Sequence, residues 1–179
     1  MLVNLMIITK EFNRKVERDY FFIQGILNID SQYFIQKIKE SCASKDNNNY
    51  KTNIKGLMTP FEFFKQDQKF LTEIIIPVID YVDENYKLNN YHILDAWGFE
   101  VRPKEKTEFH DHQGALWSGV IYLNNCEQPL EFPQIKQKIK PQEGAFCVFN
   151  SFLSHGCKRN SDNISKFGIS FNFAESKSW

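Results

Sequence analysis

From Tyr91 to Asn125 the chain reads YHILDAWGFEVRPKEKTEFHDHQGALWSGVIYLNN, a succession of short apolar or alternating runs rich in aromatic and β-branched residues. That texture is strand chemistry, since such side chains pack well on a pleated surface. It continues to the C-terminal region and predicts strands over 93–102, 107–112, 116–123, 130–132, 137–139, 145–149, 154–158 and 166–173. Eight short strands in so compact a stretch point to a closed or sandwiched antiparallel sheet.

Outward toward the N-terminus the period changes from two to between three and four. Thr59-Pro60-Phe61-Glu62 carries a helix-start signature, with Thr59 as cap, Pro60 in the first turn and Glu62 closing a capping box. Phe63, Phe64, Phe70, Leu71, Ile74, Ile75, Val78 and Val82 then form one apolar stripe that should bend or break near Pro77. An earlier helix is predicted from about Ser31, capped by Asp30, with Phe34, Ile35, Ile38 and Cys42 facing inward. The polar run 44–49 reads as a surface loop, and residues 1–9 as an edge strand opening the domain. The reading is a single domain over 1–179, with a helix-rich half over 1–90 and a strand-rich core over 91–179. Its fold class is α+β, with the N-terminal helices packed outside the sheet.

Composition narrows the function. Lys and Arg together balance Asp and Glu, so the formal net charge is zero and the basic excess of nucleic-acid or membrane-surface binders is missing. Cys42, Cys126, Cys147 and Cys157 are scattered without a C-x-x-C pair, which predicts free thiols in a reducing, cytoplasmic compartment. No run reaches the length of a membrane span, and residues 1–9 do not read as a secretory leader.

Three of the four histidines, His110, His112 and His155, fall within the predicted strands, and only His92 lies outside them. Residues two apart on a strand face the same way, so His110 and His112 can present two imidazoles to one point while Asp111 turns aside. His155 follows the Gly144 turn and the apolar run 145–149, and a returning antiparallel strand would bring it in as a third ligand. Three ligands on one face leave positions open for an organic acid and dioxygen, the requirement of a non-haem iron oxygenase, whereas structural zinc fills all four.

His110-Asp111-His112, Ser118 to Asn124, Pro141-Gln142-Glu143-Gly144, Ser154-His155 and Lys166 to Asn172 resemble the iron(II)- and 2-oxoglutarate-dependent oxygenases of phages and marine bacteria, relatives of the prolyl hydroxylases. The resemblance covers roughly residues 91 to 174. It implies a double-stranded β-helix, or cupin-like jelly roll, and a dioxygenase that hydroxylates its substrate while 2-oxoglutarate and O2 become succinate and CO2. Ascorbate would support the assay, and the setting would be the cytoplasm of a bacterium or an infected host cell. It also implies iron(II) on His110, His112 and His155, no catalytic side chain beyond the metal centre, and a cation on the last strand for the far carboxylate of 2-oxoglutarate. Lys166 occupies that place, with Tyr122 and Ser170 as hydrogen-bond donors and Arg159 as the competing cation. His112 stands where prolyl hydroxylases carry a carboxylate, so the triad is all-histidine and the metal site more positive.

Gly119 and Gly168 interrupt strands, which predicts close packing or a bulge. Trp97, Phe99 and Trp117 read as core or cavity wall. Cys157 shares strand parity with His155. Substrate contacts are expected from loops such as 104–108 and 125–128. Two other readings stay open: a cupin-like metal-binding protein that uses no 2-oxoglutarate, and a non-catalytic jelly-roll module in a phage structure or interaction.

Overall fold

The computed structural model describes residues 6–15, 19–44, 52–86 and 90–176. The elements are β1 (Met6–Lys15), β2 (Asp19–Leu27), α1 (Ser31–Ala43), β3 (Ile54–Lys55), β4 (Leu57–Met58), α2 (Gln68–Phe70), a π-helical turn (Leu71–Ile75) and α3 (Ile76–Tyr86). Then come β5 (Tyr91–Val101), β6 (Lys106–His110), β7 (Trp117–Tyr122), β8 (Leu130–Phe132), a 3-10 turn (Pro133–Ile135), β9 (Gln137–Ile139), β10 (Ala145–Asn150), β11 (His155–Cys157) and β12 (Lys166–Glu175).

The strands form two antiparallel sheets in the orders β1-β2-β10-β7-β12-β5-β4 and β3-β6-β11-β8-β9. From β5 onward the chain crosses between them at each step, with β5, β7, β10 and β12 in the larger sheet and β6, the β8–β9 hairpin and β11 in the smaller. That winding is a double-stranded β-helix, the jelly roll expected, and α1 and α3 cover the outer face of its larger sheet. The predicted strands of this half are all present to within about two residues.

Alternation along the larger sheet divides the apolar side chains into two layers. Phe167, Ile169, Phe171 and Phe173 of β12 point toward the helices and pack with Phe34, Ile38, Phe70 and Ile74. Residues of opposite parity, such as Phe22, Tyr122 and Phe149, pack between the sheets. Each such burial contributes roughly 1.5–3 kcal/mol. Trp117 belongs to the helix-side layer, stacked on Phe173 at a 3.9 Å centroid separation, so it is core, whereas Trp97 and Phe99 face the interior of the barrel. A Cβ on Gly119 would stand 2.3 Å from the Phe171 ring and one on Gly168 2.4 Å from Phe99, so both glycines serve close packing.

The N-terminal half carries more strand than its sequence texture suggested. β1 pairs with β2, and β2 pairs with β10, extending the larger sheet. β1 is the edge strand expected, although it begins within the predicted segment and runs on to Lys15; residues 1–5 lie outside the described part, as do residues 45–49 of the predicted loop. Helix α1 is as expected: the Asp30 carboxylate accepts from the Tyr33 N–H, and Phe34, Ile35 and Ile38 are buried.

Thr59, however, does not cap a helix. Its Oγ1 accepts from the Gly98 N–H, and the following segment docks on β5, Phe64 N–H donating to Ala96 O and Ala96 N–H to Phe61 O. Those sheet-edge bonds hold residues 61–66 as turns, and the cap passes to Asp67, which accepts from the Phe70 N–H. Nor does Pro77 break the helix. The preceding turn widens to π geometry, with Ile76 N–H reaching Leu71 O, next to a proline that has no N–H to give. Among the described residues no helix is long and apolar enough to cross a membrane, and all four cysteines are free.

Candidate metal centre and adjoining cavity

β6 and β11 lie side by side with His155 opposite His110. This register brings two imidazoles together from residues far apart in the chain. β6 ends at His110, so His112 sits beyond the strand rather than on it. Its backbone is held by its N–H donating to Ser151 O at 2.9 Å and by its carbonyl accepting from Ala115 N–H. The result is still convergent: one nitrogen from each of His110, His112 and His155 lies within 4.8 Å of the others. Asp111 is exposed and stays outside the cluster.

The donor atoms suit a metal. His110 Nδ1 is 2.7 Å from Glu108 O and His155 Nδ1 is 2.9 Å from Leu153 O. A carbonyl can only accept, so both Nδ1 atoms carry the proton and both Nε2 lone pairs are free. His112 Nε2 stands 3.2 Å from His155 Nε2, close to the separation of about 3 Å for two ligands at a right angle, each about 2.1 Å from one ion. Asn172 lies beside His112. Ser118 Oγ donates to Asn172 Oδ1 at 2.6 Å, and Asn172 Nδ2 donates to Asp95. Sequence reasoning missed Asn172. The only available signal was its β12 parity, shared with Lys166 and Ser170.

Burial lowers all three imidazole pKa values. His112 falls to about 4, through burial and then through neighbouring His110; His110 falls mainly through burial, and His155 well below the ordinary value through burial and both partners. At neutral pH the three rings are therefore uncharged, with lone pairs available to a metal. Between these folded values and the ordinary 6.5 the unfolded chain binds more protons than the native one, so stability rises with pH there. Chelator-treated protein is expected to lose stability as pH drops from 6.5 toward 4, with His112 alone contributing about 3 kcal/mol at most. Denaturant midpoints across that range check this, and a wild-type profile no steeper than that of a triple His→Gln variant would refute it.

The imidazoles open on a cavity between the sheets whose wall includes Trp97, Phe99, Tyr122, Cys157, Lys166 and Ser170. Lys166 is 1% exposed, its Nζ lying 3.1 Å from Cys157 Sγ and over the Tyr122 ring. Among the described residues no carboxylate lies within ion-pair range of it. Burial, with Cys157, Cys147 and Cys126 adding to it, holds the Tyr122 phenol protonated. Trp97 Nε1 is buried without a partner among the described residues, a further donor beside the triad. Arg159 is exposed and outside the wall.

A second, more open cavity touches the outer side of His110 and His112 and is bounded by Thr52, Asn53, Met58, Phe61 and Asp111. This is a different rim from the loops anticipated for substrate. Of those loops, 125–128 is tied down by buried Gln128, whose Nε2 donates to Glu105 O and Lys158 O.

Neither a family model nor a curated protein matches the sequence. Solved structures match the fold. A viral collagen prolyl hydroxylase from Paramecium bursaria Chlorella virus-1, in complex with 2-oxoglutarate, aligns at TM-score 0.65 and 18% identity over 88% of this chain and 96% of that one. HygX from Streptomyces hygroscopicus, with nickel, 2-oxoglutarate and hygromycin B bound, aligns at 0.63 and 10% over 87% and 82%. The α-ketoglutarate-dependent carbocyclase SnoK of nogalamycin biosynthesis aligns at 0.68 and 9% over 87% and 79%. The fold is thus a double-stranded β-helix like that of these solved structures, and in this chain it brings three histidines together.

Proposed function

We propose that this protein is an iron(II)- and 2-oxoglutarate-dependent dioxygenase that hydroxylates a C–H bond of an organic substrate. The observation that carries the reading is the buried ammonium of Lys166, without a counter-carboxylate, facing the same cavity as the three imidazoles. An unpaired buried cation is costly, so a site that keeps one is built for an anion. Cys157, which marks the level of Lys166, is two residues beyond His155 and so about 7 Å further along one strand face. A five-carbon dicarboxylate can bridge such a span with one end at the metal and the other at the ammonium.

In this reading His110, His112 and His155 would hold the iron, which would supply the oxidative chemistry with 2-oxoglutarate and O2. Glu108 O and Leu153 O fix two of the ring tautomers. Lys166 takes the distal carboxylate, with the Tyr122 phenol and Ser170 hydroxyl donating further hydrogen bonds. Phe99 and Val120 line the cavity beside Lys166, and an apolar wall strengthens the charge–charge contact. The rival metal-binding protein without cosubstrate leaves the Lys166 ammonium unexplained, and a non-catalytic module leaves the converging imidazoles unexplained.

The test is calorimetry under anaerobic conditions. Iron-loaded protein should bind 2-oxoglutarate at one per chain and, once air and ascorbate are admitted, should release succinate slowly without added substrate. Absence of 2-oxoglutarate binding with metal in place would sink the proposal.

A further inference from the structure

The partner that Lys166 does have is a thiol. Nζ and Cys157 Sγ are 3.1 Å apart, both side chains are almost fully buried, and both form part of the cavity wall. We propose that Lys166 and Cys157 are a modification site: peroxide joins them through one oxygen into a thiol-reversible N–O–S bridge that closes the anion-binding end of the cavity. The bridge follows from geometry alone, while its effect on 2-oxoglutarate rests on the function proposed above.

The chemistry balances with two equivalents of hydrogen peroxide. The first oxidises the thiol: the peroxide O–O bond breaks, an S–O bond forms, and water leaves, giving the sulfenic acid. The second oxidises the amine: its O–O bond breaks, the Lys166 nitrogen becomes bonded to the sulfenic oxygen, and the amine and sulfenic hydrogens depart in two waters. The net covalent change is one oxygen gained and two hydrogens lost, with sulfur and nitrogen both oxidised. An inserted oxygen holds the two atoms nearer their present 3.1 Å separation than a direct S–N bond would. Access is through the cavity. A nitrogen bonded to oxygen is a weak base, so the bridge removes the positive charge along with the lysine's freedom to move. Cys147 faces the same barrel interior and is the competing thiol.

The full chain would be treated with hydrogen peroxide in chelating buffer, freed of peroxide, and divided between peptide mass spectrometry and calorimetry with manganese(II) and 2-oxoglutarate. We expect a peptide pair linking Lys166 to Cys157 with the mass of one added oxygen less two hydrogens, removed by excess dithiothreitol. 2-Oxoglutarate affinity should fall at least about tenfold, the loss of one charge-assisted contact, and return on reduction. Cys157→Ser should form no link and keep whatever affinity it starts with, whereas Cys147→Ser should behave as wild type. A Cys147–Cys157 disulfide, which gains no oxygen, or oxygen confined to Cys157 with Lys166 free, would overturn the bridge. If reduced wild type binds no 2-oxoglutarate yet the linked peptide is found, the bridge stands and the proposed function falls.

Discussion

His155→Ala is expected to weaken divalent-metal binding by at least about a hundredfold, because loss of a direct ligand should exceed the ten- to hundred-fold cost typical of losing only a ligand's supporting hydrogen bond. His155 contributes more than one nitrogen. It pairs with His110 across β6 and β11, sets the 3.2 Å contact with His112, and packs against Phe132 and Phe149. Alanine leaves two imidazoles and a hole beside them. Since a cavity also costs stability, His155→Gln is the companion variant, with a similar volume and no imidazole. Metal content after dialysis against iron(II), with circular dichroism to confirm folding, reads the result. Stoichiometric iron in folded His155→Ala or His155→Gln would remove this residue from the ligand set.

Lys166→Ala is expected to lower 2-oxoglutarate affinity by about ten- to a hundred-fold while leaving metal affinity nearly unchanged. A charge-assisted hydrogen bond in a partly dry site is worth about 1.5–3 kcal/mol, and that is what the substitution removes. Lys166→Met keeps the length of the chain and its packing over Tyr122, so it should lose cosubstrate without losing fold. Lys166→Arg should retain most of the affinity where the cavity admits the larger fork. Arg159→Ala is the control, since that side chain is exposed and away from the cavity. Should Arg159→Ala abolish binding while Lys166→Met leaves it intact, the carboxylate site is misassigned even with the triad correct.

The sequence determined those features whose physics is local. Strands of the C-terminal half are legible because their aromatic and β-branched runs are short and cleanly punctuated. The Asp30 cap and the inward stripe of α1 are legible because a carboxylate three residues before a free N–H is a contact within one turn. His110 and His155 are legible as neighbours through strand parity and a returning strand.

Tertiary structure decided what depended on distant pairing. β2 is buried on nearly every residue from Tyr20 to Leu27, lying between helices and barrel, so the polar alternation that would betray a strand is absent. Thr59 has every local mark of a cap, yet two hydrogen bonds to Gly98 outweigh it, because the sheet edge satisfies its backbone and side chain together. His112 reaches the triad from beyond the end of β6, placed by a hydrogen bond to Ser151 rather than by the pleat on which its parity argument relied. Asn172 beside His112, and Cys157 against Lys166, belong to the same class. Side-chain period says which face a residue takes, but only the register between strands says which residue stands opposite.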